Sequence, residues 1–502
     1  MTNLNINNIS FGLLNLRTNN MKQISLKKTR LMFALAVCLL FASCIDGFKD
    51  DWTFSSGVTN TTLVSPDSTK VVFSKNTQGD LVVTWPVVYG AGGYQFTLYI
   101  VDDPNNPVAV GVENDVIDGC SATRALQEDT KYKVVIKTLG NTKVNNKDAE
   151  KVATAHYSTL LPAYAVIPDG TDLYQYFTST AIPDSTHELA YELVANGKYT
   201  LSGPVDFQKH WITLRGDKIH HPTITYGISG RLRTTAGFTL KYMDFDCNAM
   251  PADATDAAVL LLSASPDPAI LSSTTYYIIP KDIFFYSCKF SGINRRLIFD
   301  ANVKYCLTNL SINNCIVSLN ALNDASGGII YMQGGFANTF TIKNSTVWGN
   351  TRTIGYFLRY NNSARPDRAG FPNASINFFN NTFYNVAYSG PQFANYPGMN
   401  SALVRLNVSQ NIFYDCGLGE VIRRLSVQSF NMVRTINNNC YWYNGAYPEL
   451  AEVTNTQWGD KSGTGYGVDP GFTDPANGNF TTSDPAIISH KSGDPRWLPT
   501  TK

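Results

Sequence analysis

Charge is scarce in this 502-residue chain: Asp, Glu, Lys and Arg make up 16% of it, as 40 basic and 39 acidic residues. So even a balance sets up no global field that would draw the protein to nucleic acid. Histidine is rarer still, with six; His156 is isolated, and His220 and His221 precede Pro222 with no third ligand nearby. The nine cysteines contain no Cys-x-x-Cys pair, which argues against a zinc site. Setting aside Cys38 and Cys44 near the N-terminus leaves seven, an odd number, so a complete disulfide framework is not expected. Most of them read as small buried apolar side chains. The apolar run Leu31–Phe41 is too short for a membrane span. What is plentiful is 37 Gly, 27 Tyr and 27 Phe within a 43% hydrophobic composition. Strand and turn formers dominate, and the length exceeds one ordinary core, so we expect an all-β chain of several domains or of repeats.

From Met21, basic Lys22, Lys27, Lys28 and Arg30 precede the apolar run, followed by small Ala42 and Ser43, the layout of a secretory signal. Phe41-Ala42-Ser43-Cys44 resembles the bacterial lipobox, whose cysteine is acylated and becomes the new N-terminus. The resemblance implies a signal peptide over 1–43, lipidation at Cys44, a lipidated linker over 44–51, and a lipid-anchored location at the outer membrane and cell surface. A cleaved, soluble secreted protein is the alternative. Removing 1–43, which holds five basic and no acidic residues, leaves 35 basic against 39 acidic, a net charge of −4.

Residues 52–160 alternate short apolar strands with turns, as a β-sandwich does. Trp85 ends Leu81-Val82-Val83-Thr84 where it fills an inter-sheet core, and Tyr94–Ile100 is strongly periodic. Leu126 and Tyr132 before an alternating strand are similar to the fibronectin type III pattern, in which the tyrosine hydroxyl ties the corner to the backbone. Such a module acts as a spacer.

After a linker and β-helix opening over 161–190, seven segments align without gaps from 191 to 502: those starting at Leu240, Phe285, Ile312, Ile342, Phe378, Val408 and Ile436. One rung plus a variable loop needs about the separation seen between them. First and sixth positions are always apolar. The third reads Asn314, Asn344, Asn380, Gln410 and Asn438 on five consecutive rungs, from which we expect a ladder of inward amides stacked at about 4.8 Å. Cys288 and Cys315 share the fourth register and are expected to stack as thiols. Together with Tyr191–Leu201 leading into Trp211–Gly216, the repeat resembles the pectin lyase-like right-handed parallel β-helices. The tail, with Asp469-Pro470-Gly471-Phe472 and Gly493-Asp494-Pro495-Arg496-Trp497, resembles the closure of Bacteroidetes β-helix lipoproteins known as the domain of unknown function 4957 and 5123 families. That resemblance implies a surface protein of polysaccharide-utilisation systems, a monomer or part of a glycan-uptake assembly.

β-Helices bind extended polysaccharides along one sheet, but the fold alone establishes no activity. Arg359, Arg405 and Arg423 each follow an apolar stretch leading toward an aligned turn. We expect them on one face, gripping carboxylates of an acidic, pectin-like polysaccharide through paired guanidinium hydrogen bonds. Arg295 and Arg296 precede, and Asp300 follows, another such strand. Directly after the sixth position, Trp348, Tyr384, Tyr414 and Trp442 form an aromatic register, either a sugar platform or a purely structural stack. No cofactor is expected; a Ca²⁺ site needs several converging carboxylates, and near these strands only Asp300 and Glu420 qualify. The motifs of polygalacturonase-like hydrolases are absent. Catalytic residues stay unassigned, and three readings stay open: a non-catalytic binder of acidic glycan, a lyase using an Arg or Lys base, and a structural or adhesive surface protein.

Overall fold

The computed structural model describes residues 57–320, 327–353, 355–388, 393–427, 431–448 and 459–499. The leader and Cys44 lie outside them. The chain divides into two compact units between Leu161 and Pro162.

The first unit is built from alternation. Lys131–Leu139 buries every second residue, the period that puts one face of a strand on a core. A three-stranded antiparallel sheet (Val72–Lys75, Leu81–Thr84, Ser121–Arg124) and a second antiparallel sheet centred on Gly93–Ile100 and Lys131–Leu139 share one core. Trp85 fills it, its ring stacked 5.5 Å from that of Phe96. Tyr132 makes the corner that its position in the sequence predicts: its hydroxyl accepts from the Gln127 backbone N–H at 2.6 Å.

The second unit is a right-handed parallel β-helix of three sheets. The first sheet runs from Ala163–Ile167 through Leu189–Leu193 and eight more strands to Val433–Asn437. The second runs from Lys198–Leu201 to Cys440–Trp442, and the third from Pro204–Asp206 to Ala394–Asn395. The short helix Leu173–Ser179 covers the opening rung, with Phe177 5.0 Å from both Tyr191 and Phe207. Inward residues stack in columns, among them Phe383, Phe413 and Tyr441, whose rings are spaced by 5.4 and 5.7 Å.

The passage from the first sheet to the second is a two-residue turn, and it corrects the expected amide ladder by one residue. The third position of every aligned segment has a left-handed backbone: φ is 58° at Tyr242, 50° at Ser287, 57° at Asn314, 50° at Asn344, 53° at Asn380, 58° at Gln410 and 50° at Asn438. Asparagine tolerates that conformation better than other residues with a Cβ, which explains its recurrence there. Apart from the buried Tyr242, these side chains are half-buried at the rim.

The inward amides are those one residue later, Asn381, Asn411 and Asn439, all fully buried. Asn381 Nδ2 donates to Asn411 Oδ1 and Asn411 Nδ2 to Asn439 Oδ1, each at 2.9 Å. Backbone N–H groups join the same chain, Ser345 to Asn381 Oδ1 at 3.1 Å and Asn381 to Asn411 Oδ1 at 3.0 Å. On earlier rungs this column continues through Ser345, Cys315 and Cys288. The two cysteines are free, buried neighbours, and burial pushes the Cys288 thiol well up, toward its protonated form.

Candidate functional site

Along the third sheet, one side of every strand is core: Val205, Leu232, Leu260, Ile298, Ile330, Leu358 and Ala394 pair rung by rung. Strand alternation turns the next residues outward. They form the column Asp206, Arg233, Leu261, Phe299, Tyr331, Arg359 and Asn395. An apolar centre is thus flanked by arginine on each side.

Over that centre lies a cleft of about 450 Å³ lined by Asp256, Arg295, Arg296, Phe299, Asn302, Tyr331 and Gln333 among others. Phe299 and Tyr331 stack at 5.7 Å. The Arg296 guanidinium sits 4.4 Å from the Phe299 ring centre and 5.3 Å from that of Tyr331. One rung on, Arg359 lies 5.1 Å from Tyr331 and 5.0 Å from Tyr356. Both guanidinium groups are thus held over aromatic rings by cation–π attraction. Arg295 and Arg296 are also tied to the wall, donating to the carbonyls of Ala254 and Thr255, each at 2.7 Å.

The acids nearby have other duties. Asp256 pairs with Arg231 and Arg233, each at 3.4 Å. Asp300 is fully buried and accepts from the backbone N–H groups of Asn302, Gln333, Gly334 and Gly335 at 2.8 to 3.0 Å. It therefore ties two turns together. Burial drives its carboxyl up to about 7, against the pull of those four donors. Glu420 is held by Arg423 at 2.9 Å and Arg424 at 3.0 Å. Neither Asp300 nor Glu420 is left to ligate Ca²⁺, and among the described residues no three His, Cys, Asp or Glu side chains converge on a metal position.

The three arginines expected on one face occupy three places. Arg359 is on the outer column of the third sheet. Arg405 is on the first sheet, exposed, between Ser375 and Val433. Arg423 lies in the short helix Val421–Leu425, whose Leu425 carbonyl accepts from the Tyr396 hydroxyl at 2.8 Å. The physical reason is the variable length of the connections: after the second sheet of that rung the chain makes a helical turn where lower rungs place a third-sheet strand, so equal spacing from a turn does not mean equal register.

The aromatic register is outward on the second sheet, with Tyr384 and Tyr414 stacked at 4.8 Å. The C-terminal tail lies over it. Phe480 packs at 6.0 Å on Trp348 and 5.4 Å on Tyr384, and Phe472 at 6.1 Å on Tyr384 and 6.0 Å on Tyr414. Trp442 ends the same column, half-buried. The rim amides hold this tail: Asn380 Nδ2 donates to the Lys491 carbonyl at 3.1 Å, Gln410 Nε2 to that of His490 at 3.1 Å, and Ser492 Oγ to that of Asn438 at 2.6 Å.

Phe299, Tyr331 and the placement of Arg296 are what the sequence reading missed. Their signal was the third-sheet pattern Leu260-Leu261, Ile298-Phe299, Ile330-Tyr331 and Leu358-Arg359, an inward aliphatic residue followed by an outward one. Unequal loops hide it.

The class that this architecture defines is the three-sheet parallel β-helix preceded by a small β-sandwich. Within that class, three consecutive stretches of the chain match domains of unknown function: residues 18–196 match DUF4992, 197–350 match DUF4957 and 376–497 match DUF5123. No curated protein matches the sequence. Among solved structures the chain is similar to pectate lyase PelI from Erwinia chrysanthemi, at 10% identity over 67% of this chain and 85% of that one, with a TM-score of 0.16. A likeness of that size carries no argument about activity; the fold rests on the strand pairing above.

Proposed function

We propose that this protein binds an acidic, uronate-containing polysaccharide in the third-sheet cleft, with Arg296 and Arg359 receiving the carboxylates. The observation that carries the reading is that both guanidinium groups sit over aromatic rings, Arg296 in the wall of the cleft and Arg359 one rung on. A guanidinium already held against aromatic rings has lost its freedom in advance, and its fork geometry matches a carboxylate. Rungs about 4.8 Å apart repeat at close to the rise of a sugar residue in an extended chain. Arg405 and Arg423 have no part in this cleft.

Affinity electrophoresis against polygalacturonate and a neutral glucan tests the reading. Retention by the acidic polymer alone, weakening with added salt, is the expected result; equal retention by both would count against it. Absorbance of unsaturated uronate products in the same mixtures separates simple binding from lyase chemistry.

The lipobox-like Phe41-Ala42-Ser43-Cys44 supports anchoring of this module in the outer membrane through an acylated Cys44. Cys44→Ala should move the protein out of the membrane fraction. Unchanged detergent partitioning of that variant would contradict the anchor.

A further inference from the structure

The tail leaves part of the second sheet uncovered. Its outward column reads Thr223, Asp244, Lys289, Ile316, Thr346, Thr382, Ile412 and Cys440. Thr346 and Thr382 lie under the tail, where Thr346 Oγ1 donates to Asp494 at 2.8 Å and accepts from Trp497 Nε1 at 2.7 Å. Beyond the tail's last turn the column opens into a cavity of about 320 Å³ lined by His221, Asp244, Ser287, Lys289, Asn314 and Arg496 among others.

The cavity is rich in nitrogen donors. His221 Nδ1 and Asp244 Oδ1 are 2.9 Å apart, so the one carboxylate on the wall is engaged, and in the imidazolium form Nε2–H is a donor directed to a ligand oxyanion. Arg496 reaches in from the tail. Its Nη2 donates to the Asn314 carbonyl at 2.9 Å and to Asn314 Oδ1 at 2.7 Å, while Nε lies 3.2 Å from the buried Asp494 carboxylate. That guanidinium is fixed in place before any ligand arrives. Lys289, exposed one rung above Asp244, pairs with no acid among the described residues.

From this geometry we propose that the cavity binds a small oxyanion-bearing group, a sugar carboxylate or a phosphate, between Lys289, His221 and Arg496, and that the C-terminal tail completes the site. Ser287, whose Oγ accepts from Asn314 Nδ2 at 3.3 Å, supplies its hydroxyl hydrogen to the neutral part of the ligand. Because Arg496 belongs to the tail, ligand binding and tail docking strengthen each other reciprocally. This site is on a different sheet from the polysaccharide cleft and does not depend on it.

The test uses the purified chain with three probes, D-galacturonate, inorganic phosphate and neutral D-galactose. At tenfold over its Kd, a binding probe should raise the melting temperature by about 2 °C and slow amide exchange in residues 492–499. A response to galacturonate alone assigns a sugar carboxylate, and a response to phosphate alone assigns a phosphate; a response to galactose as well would overturn the oxyanion assignment. Lys289→Ala and His221→Gln should each weaken binding at least tenfold, with Arg405→Ala as the unaffected control. Since Lys289 is an exposed strand residue, its variant is expected to fold. Binding that is unchanged in both variants, no response to either anion, or binding without slower tail exchange would overturn the proposal.

Discussion

Two columns of amides run side by side along this β-helix, one residue apart, and they do different work. Asn381, Asn411 and Asn439 are inside, hydrogen-bonded to one another and to the carbonyls of Ile342, Phe378 and Val408 at 2.9 to 3.0 Å. Asn380, Gln410 and Asn438 are at the rim with left-handed backbones, and they hold the tail. The inner column has no access to water, so each amide depends on the next. The outer one needs mainly a residue that accepts positive φ. In the last three of these turns two side-chain amides therefore stand side by side for two reasons, one about buried polarity and one about backbone sterics.

Breaking the inner column should have the largest effect. Asn411→Leu leaves the Asn381 backbone N–H and Nδ2 without their buried acceptor and takes one donor each from the Phe378 carbonyl and from Asn439 Oδ1, which keeps the backbone N–H of residue 411, at a cost of about 3 kcal/mol or more. A urea midpoint close to wild type would refute the buried network. At the rim, Asn380→Leu should cost about 2 kcal/mol, from left-handed strain and one lost tail bond. Asn380→Gly, which removes the strain, should stay within about 1 kcal/mol of wild type. If glycine is as damaging as leucine, the conformational account of the outer column fails.

The smallest effect concerns Asp300, which ties two turns elsewhere on the helix. Burial raises its carboxyl from 3.8 to about 7. A group raised in the folded state gives stability that is full below its ordinary value and is lost as pH rises through about 7. Asp300→Asn cannot ionise, so the gap in melting temperature between wild type and variant should narrow from pH 4.5 to 8. A gap that widens with pH would mean that the four backbone donors outweigh burial.

Much of the fold was legible because its signal is periodic. Leu240, Phe285, Ile312, Ile342, Phe378, Val408 and Ile436 all point inward on the first sheet, and Phe245 through Tyr441 do so on the second. The turn between them has constant length, so alignment finds it. Which of two adjacent amides faces inward was not legible, since pairs such as Asn380-Asn381 and Asn438-Asn439 satisfy either choice; backbone φ decides it. The third sheet follows loops of unequal length, so Arg359 was found without its ring partners, and Arg405 and Arg423 were grouped with it wrongly as a face. The roof over Trp348, Tyr384 and Tyr414 comes from Phe472 and Phe480, isolated rings in a tail of turns with no period to betray them.

The central claim is that Arg296 and Arg359 at the third-sheet cleft, and not Arg405 on the first sheet, receive an acidic polysaccharide. Titration of oligogalacturonate into wild type, Arg359→Ala and Arg405→Ala measures it directly. The account predicts at least a tenfold loss of affinity for Arg359→Ala and an unchanged Kd for Arg405→Ala. Equal affinities for all three proteins, or a loss confined to Arg405→Ala, would contradict it.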